Sequence, residues 1–222
     1  MLFLKINGLI LHKEKTKEND AIVYILTKNN GIVKCFIKGL YKATSKNLTL
    51  FEIGNLNKLF ILTNLNKFQI ISALPLKIVN YIIFNKYPYI FIWSLKLIKN
   101  LNLKETPKII WFILTHIELY LKQNAKNFPH WFLFHLLKEL GYEIDLERCY
   151  KCFRKINKFA FFDYKNSLFC YKCHKESYLK INSNDLKKAK NIKNILKIPH
   201  EIPIFLKKII RNTFYKVIIN FK

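Results

Sequence analysis

The residues best equipped for chemistry in this chain are four cysteines: Cys149-Tyr-Lys-Cys152, a spacer of seventeen residues, then Cys170-Tyr-Lys-Cys173. Two thiolates three positions apart bend round one ion as a knuckle, and two knuckles close a tetrahedron. A spacer of about 15–20 residues between such pairs is the spacing of four-thiolate zinc sites. Between the pairs, residues 159–164, 165–167 and 168–169 read as strand, turn and strand, the hairpin of a zinc ribbon. Four thiolates leave no open coordination position. The ion expected here, Zn2+ on Cys149, Cys152, Cys170 and Cys173, is therefore structural and holds a small lobe together.

The same residues admit other readings. Two disulfides persist mainly in oxidising compartments, and the Met1-Leu-Phe-Leu-Lys5 start lacks the basic region, apolar stretch and cleavage site of an export signal. Cys170-Tyr-Lys-Cys173-His174 also spells the haem-attachment pattern Cys-x-x-Cys-His, but haem leaves Cys149 and Cys152 without a role. His174 can replace one thiolate; the expectation is an exposed ring just beyond the knuckle.

A lobe of this size needs a scaffold. Of 222 residues, 51% are hydrophobic and 15% aromatic, enough for a real core, and the net charge is +25 with only 14 acidic residues. Such a field holds nucleic acid, an anionic membrane or an acidic protein tail. Arg occurs only at 148, 154 and 211, while Lys, Asn, Ile and Phe crowd the chain. An AT-rich genome produces that bias regardless of function, so the placement of charge says more than its total. A membrane span needs roughly 18 apolar residues, and the longest charge-free run is Asn127 to Leu137. The expectation is a soluble cytosolic protein with reduced thiols and no membrane partner. The five glycines, at 8, 31, 39, 54 and 141, build no phosphate-cradling loop or dinucleotide fingerprint. No His-Glu-x-x-His, nucleophile elbow or carboxylate cluster is present, and Glu139 and Glu143 read as surface residues. Enzymatic activity is not expected.

Residues 1–76 read as a meander. Strands fall at 2–11, 21–27, 32–38, 50–62 and 68–74, with 13–20 a charged connection, Asn29-Asn-Gly31 a hairpin turn and Gly39 a break. Five short strands suggest a Greek-key barrel of the OB fold. Alternation along the third strand sends Val33, Cys35 and Ile37 to the core, making Cys35 a buried residue rather than a fifth ligand. It sends Lys34, Phe36 and Lys38 outward, and Lys42 and Lys46 follow in the next loop. Phosphates attract cations and exposed bases stack on flat rings, so these five are the candidate nucleic-acid contacts. The bland alternative is a solvated face whose lysines prevent edge pairing.

From Pro75 the pattern turns helical, with segments at 87–101, 105–121 and 128–140, the last stopping at Gly141. Trp93, Trp111 and Trp131 read as core. His116, His130 and His135 read as packing or surface residues. After the ribbon, Ser183-Asn-Asp185 caps a helix running to Leu196, and 203–219 forms a last amphipathic helix through Leu206, Ile209, Ile210, Phe214 and Val217. The fold class is α+β: an OB barrel at 1–76, then helices at 77–148 and 175–222 that pack together around an inserted four-Cys ribbon at 149–174.

The order of short motifs then resembles the RecO family of bacterial recombination mediators over nearly the whole chain. The matches are Gly8-Leu-Ile-Leu11, Glu18-Asn-Asp-Ala-Ile-Val23 with Leu26-Thr27 and Gly31, and Lys38-Gly39 with its basic stretch to Ser45-Lys46. Leu137-Lys-Glu-Leu-Gly-Tyr142, followed by Leu146 and Cys149, resembles the family's approach to its first cysteine. The resemblance implies binding of single- and double-stranded DNA and annealing of complementary strands. It also implies contact with RecR and with the tail of the single-stranded-DNA-binding protein, and help in loading RecA, at the nucleoid. Some family members lack the zinc cysteines, which again points to a structural metal; the family's basic, Ser-containing tail has no match before Lys222. Two other classes stay open: an RNA-binding or ribosome-associated zinc-ribbon protein, and a protein-interaction module that docks through its apolar last helix.

Overall fold

A computed structural model describes residues 2–16, 18–64, 67–79, 81–142, 144–156, 159–163, 167–175 and 178–220. The expectations for Tyr164 at the end of the first ribbon strand, for Lys165 and Asn166 of the turn at 165–167, and for Glu143 lie outside them. The chain divides into two compact units, Met1–Glu118 and Leu119–Lys222.

In the first unit, β1 (Leu2–Lys15), β2 (Ala21–Thr27), β3 (Ile32–Ile37), β4 (Leu56–Asn64) and β5 (Lys67–Lys77) close a barrel in the order β1-β2-β3-β5-β4. This is the five-stranded OB fold. Every pairing is antiparallel except β3 with β5, a short parallel seam of two positions, Cys35 with Phe68 and Phe36 with Gln69. Alternation fills the interior: Ala21, Val23 and Ile25 of β2, Cys35 and Ile37 of β3, and Leu59 and Ile61 of β4 all point into one core.

Three features of the barrel depart from simple alternation. β1 runs to Lys15, because Lys13, Glu14 and Lys15 pair with Val23, Ile22 and Ala21; the start of the expected charged connection at 13–20 is strand. A bulge between Ile10 and His12 buries Leu9, Ile10 and Leu11 in succession. The expected strand at 50–62 is a 3-10 turn over Thr49–Phe51 followed by β4. Gly54 (φ +93°) turns the chain there, and the Asn55 amide donates to the Thr49 and Leu50 carbonyls. Gly31 ends the β2–β3 hairpin at φ +63°, and its Cα faces the backbone of residue 103 so closely that a Cβ would lie 2.0 Å from Leu103 O.

Helices α1 (Tyr81–Lys86), α2 (Pro88–Leu101) and α3 (Lys108–Thr115) follow, and α4 (Ile117–Asn124) runs across the division between the units. The expected helix 105–121 breaks at His116 (φ −116°, ψ 17°). Thr115 is the local cause: its hydroxyl donates to the Trp111 carbonyl at 2.8 Å, competing with the helical ladder.

In the second unit, α5 (Phe128–Glu139) packs on α7 (Ile204–Asn220), and α6 (Ser183–Lys190) lies between them in sequence. The segments flanking the ribbon are stitched together. The Trp131 indole donates to Asn194 O at 3.0 Å, the Tyr120 hydroxyl to Ile195 O at 2.9 Å, and the Asn127 amide to His200 O at 2.8 Å. Trp131 is fully buried, whereas Trp93 and Trp111 are half-buried. The apolar stripe of α7 is buried at all five expected positions, Leu206, Ile209, Ile210, Phe214 and Val217. The cap of α6 is the Asn182 side chain, which accepts from Asp185 N at 2.7 Å, and the helix ends at Lys190 in a 3-10 turn rather than continuing to Leu196. Among the described residues no helix is long and apolar enough to cross a membrane.

Candidate metal centre and nucleic-acid interface

The four cysteines are presented by two tight turns and a small sheet. β6 (Ala160–Phe162) pairs with β7 (Leu168–Phe169) on one side and with β8 (Leu179–Ile181) on the other, so the hairpin expected from sequence gains a third strand. The first turn is closed by Cys149 N–H donating to Arg154 O at 2.9 Å and Phe153 N–H donating to Cys149 O at 2.8 Å. It places Phe153 in the left-handed region at φ +59°. The second is closed by Cys173 N–H and His174 N–H, both donating to Cys170 O, at 3.0 and 3.1 Å. Tyr150 N–H donates to Leu168 O at 2.8 Å and ties the first turn to the hairpin.

All four sulfurs lie within 4.8 Å of one another, and Cys152 Sγ is 3.7 Å from Cys170 Sγ. A tetrahedron with metal–sulfur bonds of about 2.3 Å has edges of about 3.8 Å, so the group fits a zinc-sized ion. The electrostatics fit as well. Burial pushes the Cys149 thiol up, but hydrogen bonds from the backbone of Cys152, Cys170 and Lys151 outweigh it and bring it down to about 6. Cys173 goes the other way, to about 12, through burial and then the hydrogen bonds and charge of its sulfur neighbours. Sulfurs this close cannot all ionise on their own; a divalent cation is the group that would let them. Cys35 sits apart in the barrel core, where burial raises its thiol to about 12. His174 corrects one expectation: it is half-buried, its ring stacked on Phe161 at 3.7 Å and 13°, with Nδ1 2.7 Å from Tyr171 O.

On the barrel, β3 turns Cys35 and Ile37 inward and leaves Lys34 and Phe36 exposed, and Lys38, one residue past the end of the strand, is exposed as well. Lys42 and Lys46 are exposed in the loop after Gly39, whose N–H donates to Asp20 Oδ1 at 2.8 Å and fixes where that loop leaves the strand. Tyr24 was not singled out from sequence. It lies opposite Lys34 in the ladder, with the Lys34 ammonium 5.4 Å from its ring centroid and the Lys99 ammonium 4.4 Å from it. Its hydroxyl donates to Glu14 Oε2 at 3.2 Å, and Glu14 also pairs with Lys99 at 3.2 Å. That hydrogen bond from Lys99 holds the Glu14 carboxyl below its ordinary range. Burial, then Lys99, lowers His12 beside it. Counting back across the Asn29-Asn-Gly31 turn would have found Tyr24. Nothing local to the strands announces Lys99, which arrives on α2. Cations for phosphates and an exposed ring for a base thus share one barrel face.

A closed OB barrel with a cationic, aromatic outer face, followed in the same chain by a helical unit holding a four-cysteine ribbon, defines the class of this protein. Residues 1–76 match the family described as Recombination protein O N terminal, and residues 95–198 match Recombination protein O C terminal. The chain belongs to the RecO family. Similar proteins include the DNA repair protein RecO of Orientia tsutsugamushi (strain Boryong), 31% identical over an alignment of 156 residues that covers 64% of this chain and 61% of that one. That of Mycoplasma mycoides subsp. mycoides SC is 30% identical over an alignment of 185 residues, covering 76% of this chain and 70% of that one. That of Mesoplasma florum is 26% identical over 197 residues, covering 78% and 68%. The chain thus spans 61% of the length of the Orientia relative.

Proposed function

We propose that this chain acts in DNA repair as a non-enzymatic recombination mediator, binding DNA through the barrel and annealing complementary strands. The observation that carries the reading is the outward face of β2 and β3, where Lys34, Phe36 and the Lys-flanked Tyr24 stand together. Lys34, Lys38, Lys42 and Lys46 neutralise phosphates, and Phe36 offers a surface for a base. In the same reading the division into barrel (1–76), helices (77–148), ribbon (149–174) and helices (175–222) holds, and Zn2+ on the four cysteines stabilises the ribbon without taking part in binding. The wider partners are RecR, the tail of the single-stranded-DNA-binding protein and, indirectly, RecA, in the cytoplasm at the nucleoid.

The test is salt-dependent binding of single-stranded DNA. Each phosphate contact on a single strand contributes about 0.7 to the slope of log affinity against log salt. Replacing Lys38, Lys42 and Lys46 together by Ala is expected to flatten the slope by about 2 and weaken binding about tenfold. Unchanged slope and affinity would move the site off this loop. Annealing of DNA coated with its cognate single-strand binder, with and without that binder's acidic tail, tests the mediator role itself. Stronger binding to structured RNA than to single-stranded DNA would favour the RNA reading instead.

A further inference from the structure

We infer that the four-cysteine ribbon carries a second binding site for single-stranded DNA, in a groove beside the metal centre. A groove of about 560 Å3 opens there, within the range of about 300–1,000 Å3 typical of ligand clefts. Its walls include Arg154, Lys155 and Lys172 together with the rings of Phe159 and Tyr171. Cations alone would mean little in so basic a chain. What distinguishes this groove is that no carboxylate edges it among the described residues, whereas three other grooves of the same unit carry Asp185 and Glu201, Asp145, and Glu201.

The cations are also available. Among the described residues none of the three is held in a salt bridge; Glu147 acts on Lys155 only through space and is itself paired with Lys193 at 2.9 Å. Their backbone is fixed, since Arg154 O accepts from Cys149 N and Lys155 bridges to Arg148. Tyr171 is 60% exposed, so its ring face is open to a stacking base at the edge of this groove. Lys180 lies 4.7 Å from the Phe159 ring and lines the neighbouring groove, so it adds to the local positive field without edging this one.

A doubly negative four-thiolate centre would offset some of this field. Residues 149–181 hold eight basic and two acidic side chains, so the lobe stays cationic with the centre loaded. Phosphates against the cations and a base against Tyr171 is the recognition mode of single strands. The inference rests on the chain being a DNA binder and adds a site in the second unit, separate in sequence from the barrel. Two sites on one chain give a direct route to annealing, one strand held at each.

The experiment is anisotropy of a fluorescein-labelled oligothymidylate of about 30 nucleotides, longer than single-site lengths of about 4–16, on the full metal-loaded chain. Replacing Arg154, Lys155 and Lys172 by Ala is expected to lower affinity about tenfold and flatten the salt slope by about 2. Tyr171→Ala is expected to lose about tenfold while Tyr171→Phe retains affinity. Metal content and melting temperature check that the ribbon stays folded. Additional loss when the triple is combined with the Lys38, Lys42 and Lys46 replacements supports two sites. If the ribbon triple and Tyr171→Ala change neither affinity nor slope while the barrel triple does, this inference is overturned and the barrel reading stands. Loss in the ribbon triple but not in the barrel triple keeps this site and removes the other. Loss of an acidic peptide's binding with the oligonucleotide unaffected would overturn it too.

Discussion

At Gly31 the lack of a side chain lets the β2–β3 hairpin lie against the backbone at residues 103 and 104. A Cβ there would sit 2.0 Å from Leu103 O, and the backbone is left-handed at φ +63°, so neither space nor conformation allows one. Gly31→Ala is expected to destabilise by about 3 kcal/mol. Gly141 is the control: its φ is +85°, but nothing lies within 4 Å of an added Cβ. Gly141→Ala is expected to cost about 1–2 kcal/mol, the backbone term alone. Urea unfolding of both variants separates steric from conformational cost. Cysteine has a sharper readout. Cys149 is wholly buried and one of the four grouped sulfurs. Cys149→Ser is expected to release bound zinc and lower the melting temperature, measured by metal analysis and calorimetry, and retention of stoichiometric metal would refute its role as ligand.

Among the elements, α5 carries a titratable group in the wrong medium. His135 is buried against Trp131 at 4.8 Å and Phe134 at 5.5 Å. Burial lowers its pKa to about 4, partly opposed by a hydrogen bond with the Ile192 backbone and reinforced by Lys138. The unfolded chain protonates this ring near 6.5, the folded one only near 4, so stability is complete above 6.5 and lost as pH falls between the two. The total is about 3 kcal/mol. Denaturant unfolding followed from pH 7 to pH 4 measures it, and His135→Phe is expected to remove about one proton from the slope. Which elements could be read in advance follows from the range of their causes. Strands β2 and β3 and helix α7 obey periodicity, and Gly31, Gly39 and Gly141 punctuate the hairpin, the end of β3 and the end of α5, so their residues announce them. The ribbon hairpin was likewise legible from cysteine spacing. The bulge at Leu11, the break at His116 and strand β8 were not, because each depends on a partner far along the chain or on one side-chain hydrogen bond. Lys34 and Phe36 were legible from alternation, whereas Lys99 beside Tyr24 depends on where α2 packs within the unit.

For the molecule as a whole, the division at Glu118 and Leu119 predicts that metal removal is felt unevenly. The sulfur centre belongs to the second unit, so chelation is expected to lower the melting transition of that unit while the barrel keeps its own, visible as two separate transitions on a calorimetric scan. One further consequence comes from the way the barrel closes. Nine pairs join β4 to β5, yet β3 meets β5 at two positions only, Cys35 with Phe68 and Phe36 with Gln69. A cylinder zipped so briefly on one side should breathe there first, with the amides of residues 35, 36, 68 and 69 trading hydrogen for deuterium faster than those of β1 and β2. Because Phe36 stands on that join, a strand of DNA lying across it would act as a clasp, and slowed deuterium uptake at those amides would be its footprint.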